Sequence, residues 1–227
     1  VLVFLLLIAL TLSSAGCVSN EQAPVEINHI SITFPENPDG SLTPLGLDED
    51  YQYLASNENA IASSIVRYTS NEFLVSHYEN LRILNWETGE QTNLTPVNLD
   101  TCEVIGAFDN TIEMDKTRWN PTGLFYHQQS QTLYIANYNG HNILIGTVSD
   151  DEFITEKMIV APGLVSPENV AVNVAGTRIA VADYDGNALF LFDGTGNLLW
   201  KQEVPLAHGV EISEDSVYCT SLQNREV

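Results

Sequence analysis

Two stretches of this chain decide its fold: PTGLFYHQQSQTLYIANYNGHNILI at residues 121–145 and PENVAVNVAGTRIAVADYDGNALFL at residues 167–191. They align without a gap at an offset of 46 residues, which carries Tyr138 onto Tyr184 and Gly140 onto Gly186. Repetition at this period, built from short alternating strands and Gly/Asn turns, is typical of β-units that bury their faces only by stacking on one another. The repeat therefore predicts a stacked, all-β architecture.

Each repeat predicts four strands, because runs of Val, Ile, Leu and Tyr alternate with turn residues. The strands are expected at 123–126, 133–136, 142–147 and 153–159 in one unit, and at 169–172, 178–182, 188–192 and 198–204 in the next. Four-stranded units of this length are blades of a β-propeller. A β-sandwich is the alternative, but a gap-free repeat is not expected of a sandwich.

Two further units are less regular. One begins at residue 64 and places His77, Tyr78, Glu79 and Asn80 where the next unit has residues 137–140; another begins at His208 and reaches residue 220. An insertion at 97–119 follows the first unit and holds five acidic residues, Asp100, Glu103, Asp109, Glu113 and Asp115. The sequence therefore predicts a β-propeller domain at 51–227, truncated at its C-terminus to an incomplete arc of about 3.5 four-stranded blades.

The N-terminus has the features of an export signal. Residues 1–12 are an uninterrupted apolar run, too short for a bilayer span of about 20 residues but suited to the hydrophobic part of a signal peptide. The Ser-Ala-Gly-Cys that follows resembles the bacterial lipobox, which implies cleavage before Cys17 and lipidation of that cysteine; an ordinary secretory signal is the alternative. We therefore expect a signal peptide at 1–17 and a tether at 18–50 that contains one strand, at 27–34. The predicted location is the bacterial cell envelope, anchored to the membrane by lipid, with Val18 favouring the outer over the inner membrane.

The charge balance is strongly acidic: 30 Asp and Glu against 8 Lys and Arg give a net charge of −22. A surface this negative repels nucleic acid, which is therefore excluded as a partner. The 44% of hydrophobic residues and only 17% of charged residues also exclude the composition of a disordered protein.

Two cysteines remain beyond the lipobox. An oxidising envelope permits a disulfide between Cys102 and Cys219. Two independent small hydrophobic residues are at least as good an interpretation, since Cys219 lies in a predicted strand and Cys102 in the insertion. Neither cysteine has the spacing of a metal-thiolate site.

The two complete repeats share the pattern Pro-x-x-[Val/Leu] followed by [Ile/Val]-Ala-[Asn/Asp]-Tyr-x-Gly-[His/Asn]-x-[Ile/Leu]. This pattern resembles the blade signature of the NHL and YVTN families of β-propellers, a broad type that gluconolactonase-like enzymes share. Residues 192–200, FDGTGNLLW, are also similar to the end of the quinoprotein-type repeat. The resemblance implies a propeller of this type, and gluconolactonase-like or quinoprotein-like chemistry if it is an enzyme.

Polar side chains are expected on one face of the propeller, where the loops leading into the inner strands meet the turns between second and third strands. The candidate ligand or metal residues there are Glu168, Asn169, Asp183, His208, His77 and Asn137. Carboxylate and amide oxygens suit Ca²⁺ or another divalent cation, and the resemblance to gluconolactonase-like enzymes would add a metal-activated water as nucleophile. The alternative is that Asn, Asp and Gly serve here only as turn formers.

No Gly-x-Ser-x-Gly, HExxH, P-loop or dinucleotide-binding motif is present. Tyr78, Tyr138 and Tyr184 recur at one position of the repeat and are expected to pack between blades rather than to stack on a ligand. No catalytic residue is assigned. The leading function predicted from the sequence is a cell-envelope lipoprotein whose propeller binds or scaffolds a protein or small ligand; a metal-dependent gluconolactonase-like hydrolase or a quinoprotein-like enzyme is the alternative.

Overall fold

The computed structural model describes residues 6–11, 27–31, 63–77, 79–107, 115–213 and 216–223. Cys17 and Tyr78 lie outside these ranges, as do most of the predicted signal peptide and tether. Within the described ranges the chain is almost entirely β-structure, with one 3₁₀ turn at Tyr138–Gly140. No helix in them is long and apolar enough to cross a membrane.

The described strands are short, at four to nine residues each. They are β1 (Leu6–Thr11), β2 (Ile27–Ser31), β3 (Ser64–Arg67), β4 (Glu72–His77), β5 (Asn80–Asn85), β6 (Gln91–Val97), β7 (Glu103–Gly106), β8 (Pro121–His127), β9 (Thr132–Asn137), β10 (Asn142–Ser149), β11 (Glu152–Val160), β12 (Pro167–Val172), β13 (Arg178–Asp183), β14 (Ala188–Asp193), β15 (Leu198–Glu203), β16 (Ala207–Ile212) and β17 (Ser216–Ser221).

Three antiparallel four-stranded units form blades of a β-propeller. Blade 1 is β3–β6, blade 2 is β8–β11 and blade 3 is β12–β15, and in each blade consecutive strands are hydrogen-bonded in sequence order. The eight strands predicted from the two complete repeats correspond to β8–β15. The prediction of an all-β propeller arc is therefore confirmed.

A fourth sheet follows in the order β16–β17–β1–β2. The two strands predicted after residue 207 are β16 and β17, and the third and outer positions are filled by strands from the beginning of the chain. Six residues of β1 pair with β17, from Leu6 opposite Ser221 to Thr11 opposite Ser216. β1 lies within the residues predicted as the signal peptide and β2 within the predicted tether.

The insertion at 97–119 is more than a loop, because it contributes β7. This strand runs parallel to β11, with Glu103 opposite Lys157. Directly before it, β6 also pairs in parallel with β11, so blades 1 and 2 are joined at their outer edges. The sequence did not predict this pairing, because a four-residue strand such as EVIG lacks a period long enough to distinguish it from loop.

The core lies between the blades, which explains why the strands are apolar on both faces. Successive residues of a strand point to opposite sides of its sheet. In blade 3, Ile179 and Val181 pack with residues of blade 2, whereas Ala180 and Leu189 pack with residues of the fourth sheet. A third cluster, which includes Leu74, joins blades 1 and 2.

Both remaining cysteines are free thiols in the structure. Cys219 is buried in the cluster between blade 3 and the fourth sheet, and Cys102 packs against the cluster between blades 1 and 2. Burial raises the pKa of the Cys219 thiol to about 12, so this thiol is unreactive at neutral pH. The interpretation as two independent hydrophobic residues therefore fits the structure.

The inner strand β8 contacts both neighbouring blades directly. The Ser76 hydroxyl donates to the carbonyl of Thr122, and the Thr122 hydroxyl donates to the carbonyl of Pro167 in the next blade at 3.2 Å. Gly123 has no side chain because the backbone of Asn169 occupies the space that a Cβ would need. These contacts hold β8 between blade 1 and blade 3.

Candidate functional site

The loop face of the propeller carries the segments before β8, β12 and β16 and the turns after β9, β13 and β17. The same backbone bond joins the two kinds of loop in blades 2 and 3 and in the fourth sheet: Tyr184 N–H donates to Ser166 O at 2.9 Å, and residues 138 and 222 make the equivalent bonds to residues 120 and 206. The predicted gathering of these loops on one face is therefore present.

Asp183 holds the loop before β12 in place. Its carboxylate accepts hydrogen bonds from the backbone N–H groups of Val165 at 2.8 Å, Ser166 at 2.6 Å and Gly186 at 3.3 Å. Burial raises the pKa of this carboxyl, while the three backbone donors act in the opposite direction. Both carboxylate oxygens are thus used by the chain itself.

Asn137 has the same role in blade 2. Its Oδ1 accepts from Asn120 N–H at 2.7 Å, and its Nδ2 donates to the carbonyl of Arg118 at 2.9 Å and to Asn142 Oδ1 at 3.1 Å. A Cβ at Gly140 would overlap this amide, and one at Gly186 would overlap the Asp183 carboxylate. Two of the predicted candidates, Asn137 and Asp183, therefore act as loop clamps, and the glycine three residues later makes room for each.

A second set of side chains on this face makes contacts between neighbouring blades. Asp185 lies in the exposed turn between β13 and β14, and its Oδ2 accepts from Tyr138 Oη at 2.8 Å and from Ser166 Oγ at 2.7 Å. Tyr138 belongs to blade 2, so this contact bridges two blades. Burial, followed by the hydrogen bond to Asp185, raises the pKa of Tyr138 to about 12. The Tyr138 hydroxyl consequently stays a donor at any physiological pH.

Glu168 and His208 complete this set, which we call the acidic cluster (Tyr138, Ser166, Glu168, Asp185 and His208). Glu168 Oε1 lies 3.8 Å from His208 Nε2, and the two side chains are 22% and 48% exposed. Burial, followed by the nearby Asp185 charge, raises the pKa of Glu168, and burial lowers that of His208. The lowered pKa favours the neutral imidazole, so His208 offers the Glu168 carboxylate little opposite charge at pH 7.

The structure separates the other candidates from this cluster. The Asn169 Oδ1 accepts from the adjacent Val170 N–H at 2.8 Å, which is a local backbone contact. His77 ends β4 in blade 1, where blade 2 has Asn137. Within the described ranges, no group of three or more His, Cys, Asp or Glu side chains could hold a metal ion.

Three members of the cluster were not among the candidates predicted from the sequence. Tyr138, Ser166 and Asp185 are 19 to 47 residues apart, and each is an ordinary turn residue in its own segment. The repeat contained the necessary signal, because the offset of 46 matches residue 138 with residue 184, which directly precedes Asp185 in the turn of the next blade. Tyr138 was predicted to pack between blades, and its contact is a hydrogen bond across that boundary.

Chemically, the acidic cluster can accommodate positive charge. The Glu168 carboxylate accepts no hydrogen bond from the described residues, although only 22% of its side chain is exposed. A desolvated carboxylate is stabilised by an opposite charge, and more so in partly buried surroundings than in water. Tyr184, whose ring meets that of His208 edge-on at 6.3 Å, adds an aromatic side to the site.

Comparison with known proteins found no protein-family model and no curated sequence that matches. Solved structures do match. The Cps50 (Swd1) β-propeller domain of Myceliophteria thermophila is 15% identical at a TM-score of 0.48 and covers 87% of this chain. Kuenenia stuttgartiensis hydrazine synthase is 14% identical at 0.48 over 67% of the chain, and a nidogen/laminin complex is 12% identical at 0.45 over 66%. This chain spans 61%, 39% and 51% of those chains, respectively.

Proposed function

We propose that this protein is a cell-envelope lipoprotein whose β-propeller, of the NHL/YVTN type, binds a ligand or partner segment that presents positive charge. The observation that carries the binding role is the Glu168–Asp185 pair, in which two carboxylates lie near each other and burial lowers the pKa of the adjacent His208. The anchor is supported by the apolar run and lipobox-like residues that end at Cys17.

The geometry of the cluster supports a binding role in preference to a purely structural one. Asn137 and Asp183 already hold the loops, and each does so with all of its polar atoms engaged by backbone or by Asn142. Glu168 occupies the position where blade 2 has Thr122, whose hydroxyl bonds the next blade directly. A carboxylate at this position makes no such bond and is available to a ligand.

Binding should depend on this pair of carboxylates and not on net charge alone. We expect the double variant Glu168→Gln/Asp185→Asn to weaken binding of a penta-lysine peptide about tenfold, equivalent to about 1.4 kcal/mol. The double variant Asp150→Asn/Asp151→Asn is the matched control, because it also removes two negative charges but lies in the exposed turn between β10 and β11. Isothermal titration calorimetry at low ionic strength measures all three proteins. Equal weakening in the two variants would reject the site.

The membrane anchor should depend on Cys17 alone. In a bacterial host, the wild-type protein should sediment with membranes and carry the mass of a lipid-modified chain that begins at Cys17. Cys17→Ser should release it to the soluble envelope fraction, because the variant lacks the thiol that receives the lipid. Stable anchoring needs more than one acyl chain, and this variant would carry none. Fractionation followed by intact mass measurement distinguishes the two forms. Membrane retention of Cys17→Ser with no change in mass would contradict the assignment.

A further inference from the structure

A serine and a histidine are paired on the face opposite the acidic cluster. His127 ends β8, and Ser130 lies in the hairpin turn between β8 and β9. Ser130 Oγ is 2.8 Å from His127 Nδ1, and His127 Nε2 is 2.9 Å from the carbonyl oxygen of Val174 in the neighbouring blade. A nucleophile, a base and a group that orients the base are thus in contact.

The hydrogen bonds determine which nitrogen of the imidazole carries the proton. The Val174 carbonyl can only accept, so Nε2 is the protonated nitrogen. Nδ1 is then unprotonated, and it accepts from the Ser130 hydroxyl and, at 3.3 Å, from the Ser130 backbone N–H. The lone pair of the base therefore lies against the hydroxyl that it would deprotonate.

The two residues of the pair differ in solvent exposure, and the difference suits a reactive hydroxyl. His127 is only 8% exposed, whereas Ser130 is exposed to solvent. The imidazole is held from two sides, by its own hairpin and by blade 3, so it cannot rotate away without losing the bond to Val174. The hydroxyl remains open to a molecule in solution.

The hairpin does not need a histidine for its own stability. At the equivalent position of blade 3, 46 residues later, Asn173 Oδ1 accepts from the backbone N–H groups of Thr177 at 2.8 Å and Arg178 at 2.9 Å. An asparagine thus suffices to hold a hairpin of this kind. What His127 adds is a base in contact with a hydroxyl and an orienting carbonyl from the next blade.

We propose that Ser130 is a nucleophile activated by His127, and that the site takes ester substrates. The Oγ attacks the ester carbonyl carbon while its proton moves to His127 Nδ1. The bond to the alcohol then breaks, the alcohol leaves with that proton, and water hydrolyses the acyl-serine to release the acid. A nucleophile, a base and an orienting group in contact are the arrangement that covalent catalysis by serine requires.

The test is covalent labelling of the full chain with diisopropyl fluorophosphate. The Oγ–phosphorus bond forms, the phosphorus–fluorine bond breaks, and fluoride leaves while the hydroxyl proton passes to His127. We expect one adduct, mapped to Ser130 by peptide mass spectrometry, and none in Ser130→Ala. In His127→Asn, which imitates Asn173 of blade 3, labelling should be slower by about 100-fold, as expected for loss of a general base.

Hydrolysis of p-nitrophenyl acetate supplies a second readout and should fall in the same two variants. Circular dichroism shows whether each variant is folded. If His127→Asn does not fold, the comparison of wild type with Ser130→Ala still tests the labelling and the hydrolysis. No adduct on the wild-type chain, an adduct at another residue, or labelling of folded His127→Asn at the wild-type rate would overturn the proposal. The acidic cluster lies on the other face, so these outcomes are independent of the binding role.

Discussion

Asp183→Ala should lower the free energy of unfolding by about 2–4 kcal/mol, because it removes the acceptor of three backbone N–H groups at once. Asp183 is fully buried, and water cannot readily replace the lost bonds to Val165 and Ser166. The loop before β12 would then lose its attachment to β13. Urea unfolding followed by tryptophan fluorescence measures the change.

Asp183→Asn is the matched control, because Asn137 fills the same position in blade 2. The amide oxygen of the variant can still accept from the Ser166 N–H. Its NH₂ group replaces the oxygen that accepts from the Val165 N–H, so that hydrogen bond is lost. We therefore expect a smaller loss, about 1 kcal/mol. If alanine and asparagine cost the same, the hydrogen bonds described here do not hold the loop.

Phe190→Ala should lower the free energy of unfolding by about 3–5 kcal/mol, the usual cost of truncating a buried aromatic residue. Phe190 is fully buried between blades 2 and 3, and its ring is stacked on that of Phe192 at 6.0 Å. The Lys201 ammonium lies 4.8 Å from the centroid of the Phe190 ring. The cavity would therefore remove contacts from both neighbouring residues.

Val174→Ala provides the comparison for this second variant. Its side chain is 73% exposed, so truncation should change stability by less than about 0.5 kcal/mol. Both variants are measured in the same urea titration. An effect of Phe190→Ala no larger than that of Val174→Ala would show that the interface between blades 2 and 3 does not carry the stability of the molecule.

The repeat predicted the strands of blades 2 and 3 because hydrophobic alternation and turn residues are local properties. It did not predict β7, whose partner β11 lies more than fifty residues away, nor the pairing of β1 with β17. Such pairings depend on which edges remain open in the folded molecule, and no short window of sequence carries that information.

The candidate site was only partly predictable for the same reason. Glu168 and His208 were correctly placed near each other by the phase of the repeats. Asp183 and Asn137 were grouped with them because the sequence shows that they share a face, but not where their oxygens point. Their engagement with backbone N–H groups became visible only in the structure. Asp185 belongs to the acidic cluster because it accepts a hydrogen bond from Tyr138, a residue of another blade.

The pairing of β1 with β17 also sets an order of events during synthesis. Leu6 lies opposite Ser221, so β1 is synthesised 215 residues before the strand with which it pairs. At about 5–20 residues per second, that interval lasts roughly 10 to 40 s. During this interval β1 has no β17 to pair with, so the fourth sheet can close only after blades 1 to 3 have been made. Among the described strands, this closure is therefore the last pairing step that synthesis permits.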